Sequence, residues 1–240
     1  MKTLLIALLL GLWGLSAHAQ KTIERNIEYG NRTITMDVKF ASEIEVKTWD
    51  KPTIYFKADL TTEDGKYLDL YKLDIDEGGA TISIVSDPVP IFKAFQKERD
   101  GNGSNSKNGY CCSNFEYTFN YTLYVPKNAV FKVSSINGNL KSDLVEGQFS
   151  AELINGNIDI KKYAGTLDLN TINGEIDLIM VNTRLKAETI HGNIFADERL
   201  KFASSKDKMI GQEIEGATDN AVHKLKLNTI NGNMYLRKEL

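Results

Sequence analysis

Residues in the first half of the chain follow a strand-like pattern. In residues 20–128, apolar side chains alternate with polar ones over long stretches, as at Ile34, Met36 and Val38, and turn residues interrupt the series. Alternation with period two is typical of half-buried β-strands joined by short loops. We therefore expect an N-terminal β region here, packed as one continuous domain with the repeat region that follows at residues 129–240.

The second half of the chain repeats the motif Ile-Asn-Gly-Asn at a fixed spacing. Its first four copies begin eighteen residues apart, at Ile136, Ile154, Ile172 and Ile190, and a fifth begins at Ile230. The expected turn residues are Asn137, Gly138, Asn155, Gly156, Asn173, Gly174, His191, Gly192, Asn231 and Gly232. Asn and Gly suit a corner because both tolerate a positive φ, and stacked Asn side chains can form an amide ladder.

Apolar positions align from one eighteen-residue unit to the next, in two strands per unit. One column holds Phe131, Phe149, Leu167, Leu185 and Leu225, and the opposite column holds Leu140, Ile158, Ile176, Ile194 and Met234. A constant period predicts stacked repeats. The sequence therefore predicts an all-β fold, a parallel β-solenoid with two main faces and about eighteen residues per turn. An antiparallel meander is the alternative, since Asn-Gly is also a strong hairpin signal.

We expect the units to stack in chain order. Irregular N-terminal strands would cap one end of the stack, and the charged residues after Leu236 would protect the other end from further pairing. Residues 197–222 interrupt the period, which predicts a rung carrying an inserted loop.

A break in the strand pattern lies within the N-terminal region. Residues 91–96 predict either one helical turn or a hydrophobic flap, and the polar residues 97–114 predict the longest loop. The strand that follows carries an aromatic stripe of Phe115, Tyr117, Phe119 and Tyr121. This stripe is either a core face covered by the preceding loop or an exposed platform for carbohydrate.

The first nineteen residues have the layout of an export signal. Lys2 precedes a short apolar run, and the small residues Ala17 and Ala19 supply a cleavage site. The run is shorter than the roughly twenty apolar residues of a membrane-spanning helix. We expect residues 1–19 to be removed and the mature chain, which has no second apolar span, to reside in the periplasm or at the cell surface.

Charge and motif content narrow the classes of function. The formal net charge of −3 becomes −4 without Lys2, and this mild acidity argues against nucleic acid as a partner. The sequence contains no nucleotide-binding motif, and neither His191 nor His223 has a nucleophile and an acid at a recognisable spacing. We therefore expect no cofactor, no metal and no catalytic residue.

Two pairs of residues support competing hypotheses. Asp159 and Asp177 occupy the same outward position on adjacent rungs, about 5 Å apart by strand spacing, which would suit a glycan hydrolase or lyase. The alternative is a solvated outer face. Cys111 and Cys112 are the only cysteines and are neighbours, so they form either free thiols, an intermolecular bridge or a strained disulfide of a redox-related protein.

Three features together resemble a known bacterial family. They are the turn Trp49–Pro52, the strand Tyr-Thr-Leu-Tyr-Val-Pro at residues 121–126, and the train of Asn-Gly-Asn turns. The chain resembles the bacterial putative-adhesin domain, a family of unknown function, over nearly its whole mature length. The resemblance implies an exported β-solenoid and no catalytic residues. We expect a non-enzymatic binding or scaffold protein of the cell envelope whose partner is an envelope protein or a glycan.

Overall fold

The computed structural model describes residues 20–101, 115–200, 204–207, 211–218 and 220–238. Over these residues it contains eighteen strands, one α-helix and two short 3-10 turns. The strands are β1 (Gln20–Glu28), β2 (Thr33–Val38), β3 (Phe40–Trp49), β4 (Thr53–Thr62), β5 (Lys72–Asp76), β6 (Thr81–Asp87), β7 (Tyr117–Pro126), β8 (Val130–Ser142), β9 (Val145–Asn155), β10 (Ile158–Ile160), β11 (Tyr163–Thr171), β12 (Ile176–Met180), β13 (Thr183–Thr189), β14 (Ile194–Ala196), β15 (Ser204–Asp207), β16 (Gln212–Ala217), β17 (His223–Thr229) and β18 (Met234–Lys238). Helix α1 spans Val89–Gly101, and the 3-10 turns span Glu63–Gly65 and Leu68–Leu70. The expected signal segment 1–19 lies outside the described residues.

The fold is all-β, as the sequence predicts, and its large sheet is mixed. Strands of the Ile-Asn-Gly-Asn repeats pair in parallel, with Phe131 opposite Phe149 and Phe149 opposite Leu167. Antiparallel pairs lie at both ends of the stack, where β4 joins β1 to β7, β5 joins β6, and β16 joins β13 to β15. The expected parallel solenoid is therefore not the whole of the sheet, because antiparallel strands join the parallel ones at both ends.

Parallel pairing organises the chain into rungs, each made of two strands at one level of the stack. Strand β8 supplies both halves of its rung. In spatial order the rungs are β6/β7, β2/β3, β8, β9/β10, β11/β12, β17/β18 and β13/β14. At a strand spacing of about 4.8 Å, this stack is roughly 29 Å long.

One N-terminal rung lies out of chain order. Ile34 of β2 pairs with Ile82 of β6 on one side and with Phe131 of β8 on the other. Strand β3 likewise lies between β7 and β8. Part of the N-terminal region therefore continues the stack, and the remaining strands β1, β4 and β5 cover its end.

The last repeat is also out of chain order. Leu225 of the fifth repeat (β17/β18) pairs with Leu167 of the third repeat (β11/β12) and with Leu185 of the fourth (β13/β14). The expected chain-order stacking of the last two units is therefore wrong. Arg237 lies in an inner rung, so the charged residues after Leu236 do not protect the end. The antiparallel strands β15 and β16, from the segment expected to hold an inserted loop, cover β13 instead.

Side chains that point between the two sheet faces form one continuous core. The two predicted columns are buried throughout except for Ile194, which is half-buried. In the aromatic stripe, Phe119 is 0% exposed and Tyr121 is 1% exposed, so a carbohydrate platform is wrong for these two residues. Helix α1 covers the rest of the stripe, with Phe95 stacked on Phe115 at 4.1 Å between ring centroids. The apolar residues 91–96 thus belong to a longer helix than expected.

Glycine is required at the repeat corner because neighbouring backbones approach closely there. A Cβ added to Gly156 would lie 2.1 Å from the carbonyl oxygen of Gly138, and one added to Gly174 would lie 2.0 Å from that of Gly156. Of the five corner glycines only Gly138 has a positive φ, of 114°. The expectation that positive φ selects these residues is therefore wrong at the other four corners, where space for the next rung selects glycine.

Buried hydroxyl groups satisfy the carbonyls of the corner glycines. Thr171 donates to the carbonyl of Gly156 at 2.9 Å, and Thr229 donates to that of Gly174 at 3.0 Å. Thr189 makes the same bond to Gly232 at 3.0 Å. These bonds compensate polar groups that would otherwise be buried without partners, so these three corners are each fixed to a neighbouring rung.

A second buried polar group lies in the aromatic core. The hydroxyl of Tyr71 donates to that of Tyr121 at 3.2 Å, and Ser86 lies 3.1 Å from the same oxygen. Burial raises the pKa of Tyr121 and of Tyr71 above the ordinary tyrosine value, because the phenolate would lose its hydration.

Substituting a corner glycine tests the stacking constraint. We expect Gly174→Ala to lower the free energy of unfolding by about 2–3 kcal/mol, since its Cβ would overlap a backbone carbonyl that cannot rotate away. This corresponds to a drop in Tm of roughly 5–10 °C. Gly101→Ala is the control, because nothing lies within 4 Å of its added Cβ. Equal melting temperatures for the two variants would show that the corner is not sterically limited.

The buried tyrosines predict a loss of stability at alkaline pH. A group whose pKa is raised in the folded state stabilises that state below its unfolded pKa, near 10 for tyrosine, and this contribution falls as pH rises further. Each buried tyrosine should steepen the decline above pH 10 by about 1.4 kcal/mol per pH unit. We expect denaturant titrations between pH 9 and about 11.5 to show a shallower decline for Tyr121→Phe. An unchanged slope would contradict the assignment.

Candidate binding groove

The first residue of each repeat motif points out of the core and forms an apolar stripe. In the fifth repeat Leu225, Leu227 and Thr229 are buried, so strand alternation directs the next residue, Ile230, to the outside. The exposed members are Ile154, Ile172, Ile190 and Ile230, each between 38% and 41% exposed. Ile136 continues the stripe in a half-buried position. Aligned exposed isoleucines on successive rungs make a continuous apolar surface instead of isolated exposed side chains.

This stripe forms one side of a groove of about 590 Å³ that crosses six rungs. Leu153, Thr171 and Thr229 form its floor, and Lys39 lies at one end next to Ile136. Equivalent positions line the groove on each rung, with isoleucine on five of the six rungs and polar residues of varied type opposite. Five steps of about 4.8 Å give it a length of roughly 24 Å.

An amide ladder borders the isoleucine stripe. Asn155 donates its side-chain N–H to the Oδ1 of Asn137 at 3.0 Å, and Asn173 donates to Asn155 at 2.8 Å. Asn231 continues the series by donating to Asn173 at 2.8 Å. These side chains are polar and largely exposed, so they offer further hydrogen-bonding capacity beside the apolar stripe.

The opposite side of the groove is formed by carboxylates, amides and a hydroxyl. In rung order these residues are Asp37, Ser134, Glu152, Asn170, Asn228 and Glu188. Asn228 donates to Asn170 at 2.7 Å, and Lys132 neutralises Glu152 at 2.6 Å. Polar groups therefore lie on both sides of the isoleucine stripe, with the amide ladder on one side and this column on the other.

Asp159 and Asp177 are neighbours on adjacent parallel strands, as the sequence predicts. Arg237 holds both oxygens of Asp177, with each N–O distance 2.7 Å, and the carboxylate raises the pKa of this guanidinium. A bidentate ion pair leaves Asp177 poorly placed to attack or to donate a proton. Lys141 and Tyr235 lie in the same outward column, so the geometry favours a solvated, charge-paired face over a catalytic pair.

The two histidines have different surroundings. His191 is exposed and occupies the corner position that Asn231 occupies in the neighbouring rung, where its backbone N–H donates to the carbonyl of Ile230 at 2.7 Å. His223 is half-buried, and its Nδ1 accepts the N–H of Gly165 at 2.9 Å. Each histidine therefore contacts a residue of the neighbouring rung. Cys111 and Cys112 lie outside the described residues, so their pairing stays a hypothesis.

No group of three or more His, Cys, Asp or Glu side chains among the described residues could hold a metal ion. No helix in the same part of the chain has the length and apolar character that a membrane crossing requires.

The isoleucine groove was not predicted from the sequence, although a signal for it was present. Alternation continues through each repeat into the motif, so the residue after a buried Thr or Leu must face outward. Because isoleucine is usually buried, its place in the motif by itself suggests only a turn position. Its recurrence at every corner is the signal for an exposed apolar stripe.

Comparisons with known proteins identify the fold. No family model and no curated protein matches this chain. A putative cell adhesion protein from Clostridium sporogenes ATCC 15579 has a similar structure, with a TM-score of 0.57 and 12% identity over 92% of this chain and 100% of that one. A putative lipid binding protein from Parabacteroides distasonis ATCC 8503 gives a TM-score of 0.40 at 12% identity, covering 92% and 97% of the two chains. A putative adhesin from Bacteroides fragilis NCTC 9343 gives 0.33 at 9% identity, covering 92% and 99%.

The likeness to the Clostridium protein shows a shared fold. At 12% identity it does not extend to individual side chains, so the groove is argued from this chain's own residues.

The Asp177–Arg237 pair gives a prediction about stability. We expect Asp177→Asn to lower the free energy of unfolding by less than about 1 kcal/mol, because both side chains are partly exposed and solvent screens the pair. Chemical denaturation at low and high salt would measure this, and the small difference should shrink as salt is added. A loss of several kcal/mol that is independent of salt would mean that the carboxylate is a structural centre.

Proposed function

We propose that this chain is a non-enzymatic, exported binding protein of the bacterial cell envelope, built on a β-solenoid, whose groove binds an extended glycan chain. The groove itself carries the proposal. It joins a stripe of isoleucines on five successive rungs, roughly 19 Å long, to polar groups on both sides. Repeat folds commonly use such extended surfaces for extended ligands.

The chemistry of the groove favours a glycan over a protein strand. A sugar ring has apolar C–H faces and hydroxyl groups around its edge, which match an isoleucine centre with amide and carboxylate rims. A protein strand would need free backbone groups to extend the sheet, whereas the corner N–H groups of Asn173 and Asn231 are bonded to the carbonyls of the adjacent rung.

Location at the envelope rests on the N-terminal segment and the resemblance described above. A positively charged residue, a short apolar run and an Ala-x-Ala site support export of the mature chain. The shared fold with a putative cell adhesion protein is compatible with this location. Binding without catalysis agrees with an Asp177 carboxylate that is held by Arg237.

Substitutions in the stripe test the proposal directly. We expect the double variant Ile154→Ser/Ile172→Ser to lose at least about tenfold in affinity for the glycans that the parent protein binds, since it removes apolar contact from the centre of the groove. The measurement is a glycan array followed by titration of the bound glycans, with isolated envelope fractions as a second probe. Leu144→Ser is the matched control, because Leu144 is 38% exposed and lies away from the groove residues.

The outcomes separate the alternatives. Glycan binding that the double variant loses and the control keeps would support the groove. Binding that both variants retain would place the ligand elsewhere, and binding to envelope protein without any glycan would overturn the ligand class. Melting curves of each variant distinguish lost contacts from lost folding, because Ile154 and Ile172 lie outside the core.

A further inference from the structure

Four basic side chains lie together on the outer face of the last two rungs of the stack. Strand β17 supplies Lys224 and Lys226, and the adjacent parallel strand β13 supplies Arg184 and Lys186. The residue between the two cations of each strand is buried, so strand alternation directs all four to the same outer face, where they are exposed. We call these four residues the basic quartet.

The register of the two strands places like charges opposite each other. Arg184 is the partner of Lys224, and Lys186 is the partner of Lys226. Adjacent strands are about 4.8 Å apart, and residues two positions apart on one strand are separated by about 7 Å. Like charges at such spacings repel, and a strand pair with like charges directly opposite each other is destabilised. The fold therefore carries a repulsion here that one neutral residue in each pair would relieve.

Nearby carboxylates compensate only part of this positive charge. Lys226 lies 3.3 Å from Asp168 of β11, and among the described residues it is the only member of the basic quartet that forms an ion pair. Glu215 of β16 is the neighbour of Lys186 in register. Four cations beside two carboxylates leave a local excess of two positive charges, in a chain whose formal net charge is −3. A positive patch on an acidic chain indicates an anionic ligand.

The arrangement suits a tetrahedral oxyanion. The guanidinium of Arg184 presents several N–H donors in a fixed fork, and the three lysines supply point charges around it. The exposed hydroxyl of Thr166, the partner of Lys224 on β11, adds a donor at the edge of the basic quartet. A phosphate ester carries a charge of about −1.5 to −2 at neutral pH, which matches the local excess.

The basic quartet lies beside the groove on the same face of the sheet. The outward residues of β17, in order from the groove, are Ile230, Asn228, Lys226 and Lys224, and the first two line the groove. Lys226 is two residues, or about 7 Å, beyond Asn228, a gap that a lysine side chain can span. On β13 the residue opposite Asn228 is Glu188, so an acidic group has a less repulsive approach along β17.

We propose that the basic quartet binds a phosphate or sulfate group carried by the glycan that lies in the groove. The inference rests on the proposed function and specifies its ligand as an acidic glycan. Continuity of the two surfaces along β17 favours this source over a lipid headgroup, because a chain held in the groove already places its substituents beside Lys226. The groove carboxylates Asp37 and Glu152 lie at least two rungs from β17, and Lys132 neutralises Glu152.

A pair of substitutions separates binding from structure. Lys186→Gln/Lys224→Gln removes one cation from each like-charge pair, so without ligand its Tm should equal or exceed that of the parent at low salt. Any gain should shrink as salt is added. Lys72→Gln/Lys93→Gln is the matched control, because it also removes two exposed lysines, which lie on β5 and α1 away from the basic quartet.

Inorganic phosphate probes the basic quartet without any glycan. Phosphate exchanged for chloride at constant ionic strength should raise the Tm of the parent and of the control by at least about 2 °C more than that of Lys186→Gln/Lys224→Gln. The comparison cancels the general stabilisation that phosphate gives to folded chains. An equal response in all three proteins would overturn the oxyanion site, and a lower Tm of the ligand-free double variant would make the lysines structural.

A glycan array with phosphorylated or sulfated members beside their unmodified forms tests the source of the oxyanion. We expect the parent and the control to bind the acidic forms at least about tenfold more tightly than the unmodified ones. Lys186→Gln/Lys224→Gln should lose this preference. Vesicles containing phosphatidylglycerol are the third probe, and they should bind the parent and the double variant equally.

The outcomes distinguish this inference from the proposed function. Equal affinity for acidic and unmodified glycans would overturn the glycan as the source, as would vesicle binding that depends on the basic quartet without a preference for acidic glycans. The absence of all glycan binding would contradict the proposed function and the glycan source together. A phosphate response that disappears with the basic quartet would, even then, support the oxyanion site itself.

Discussion

Close approach of backbone to backbone at the repeat corner is the constraint on which the rest of the structure depends. Four of the five corner glycines lie against the carbonyl of a corner glycine in the adjacent rung, and Gly138 lies against Ala41, in every case with no room for a Cβ. The carbonyls of Gly156, Gly174 and Gly232 also accept the buried hydroxyls of Thr171, Thr229 and Thr189. Steric fit and hydrogen bonding therefore both act at the corner glycine. Together they set the register of the strands that leave the corner.

The groove is a consequence of this register. Once Thr171 and Thr229 are directed inward to reach the glycine carbonyls, alternation places Ile172 and Ile230 outward, and the asparagines that follow form the amide ladder. An apolar stripe on the surface is normally unfavourable for a monomer. Its repetition beside polar groups on both sides is why the binding proposal rests on the groove and not on the charged face around Asp177.

Packing in the core does not by itself decide the order of the rungs, since each repeat presents the same apolar columns to its neighbours. Polar residues on the outer face distinguish the repeats from one another. Arg237 of the fifth repeat pairs with Asp177 of the third, a contact that Asp197, which takes the position of Arg237 in the fourth repeat, cannot make. Antiparallel strands then cover the two ends, where an uncovered parallel edge would invite further pairing.

Local patterns in the sequence by themselves determined the all-β class, the parallel pairing of the repeat strands and the core columns, because alternation and an eighteen-residue period are properties of short segments. The same eighteen-residue period also predicts that Asp159 and Asp177 lie next to each other on adjacent strands. Only the tertiary structure decided which rung lies beside which, the covering of Phe115 by helix α1, the pairing of Arg237 with Asp177 and the depth of the isoleucine groove. These features depend on contacts between residues far apart in the chain. One local pattern is compatible with several orders of the rungs, and differences in charge and packing between distant residues select among these orders.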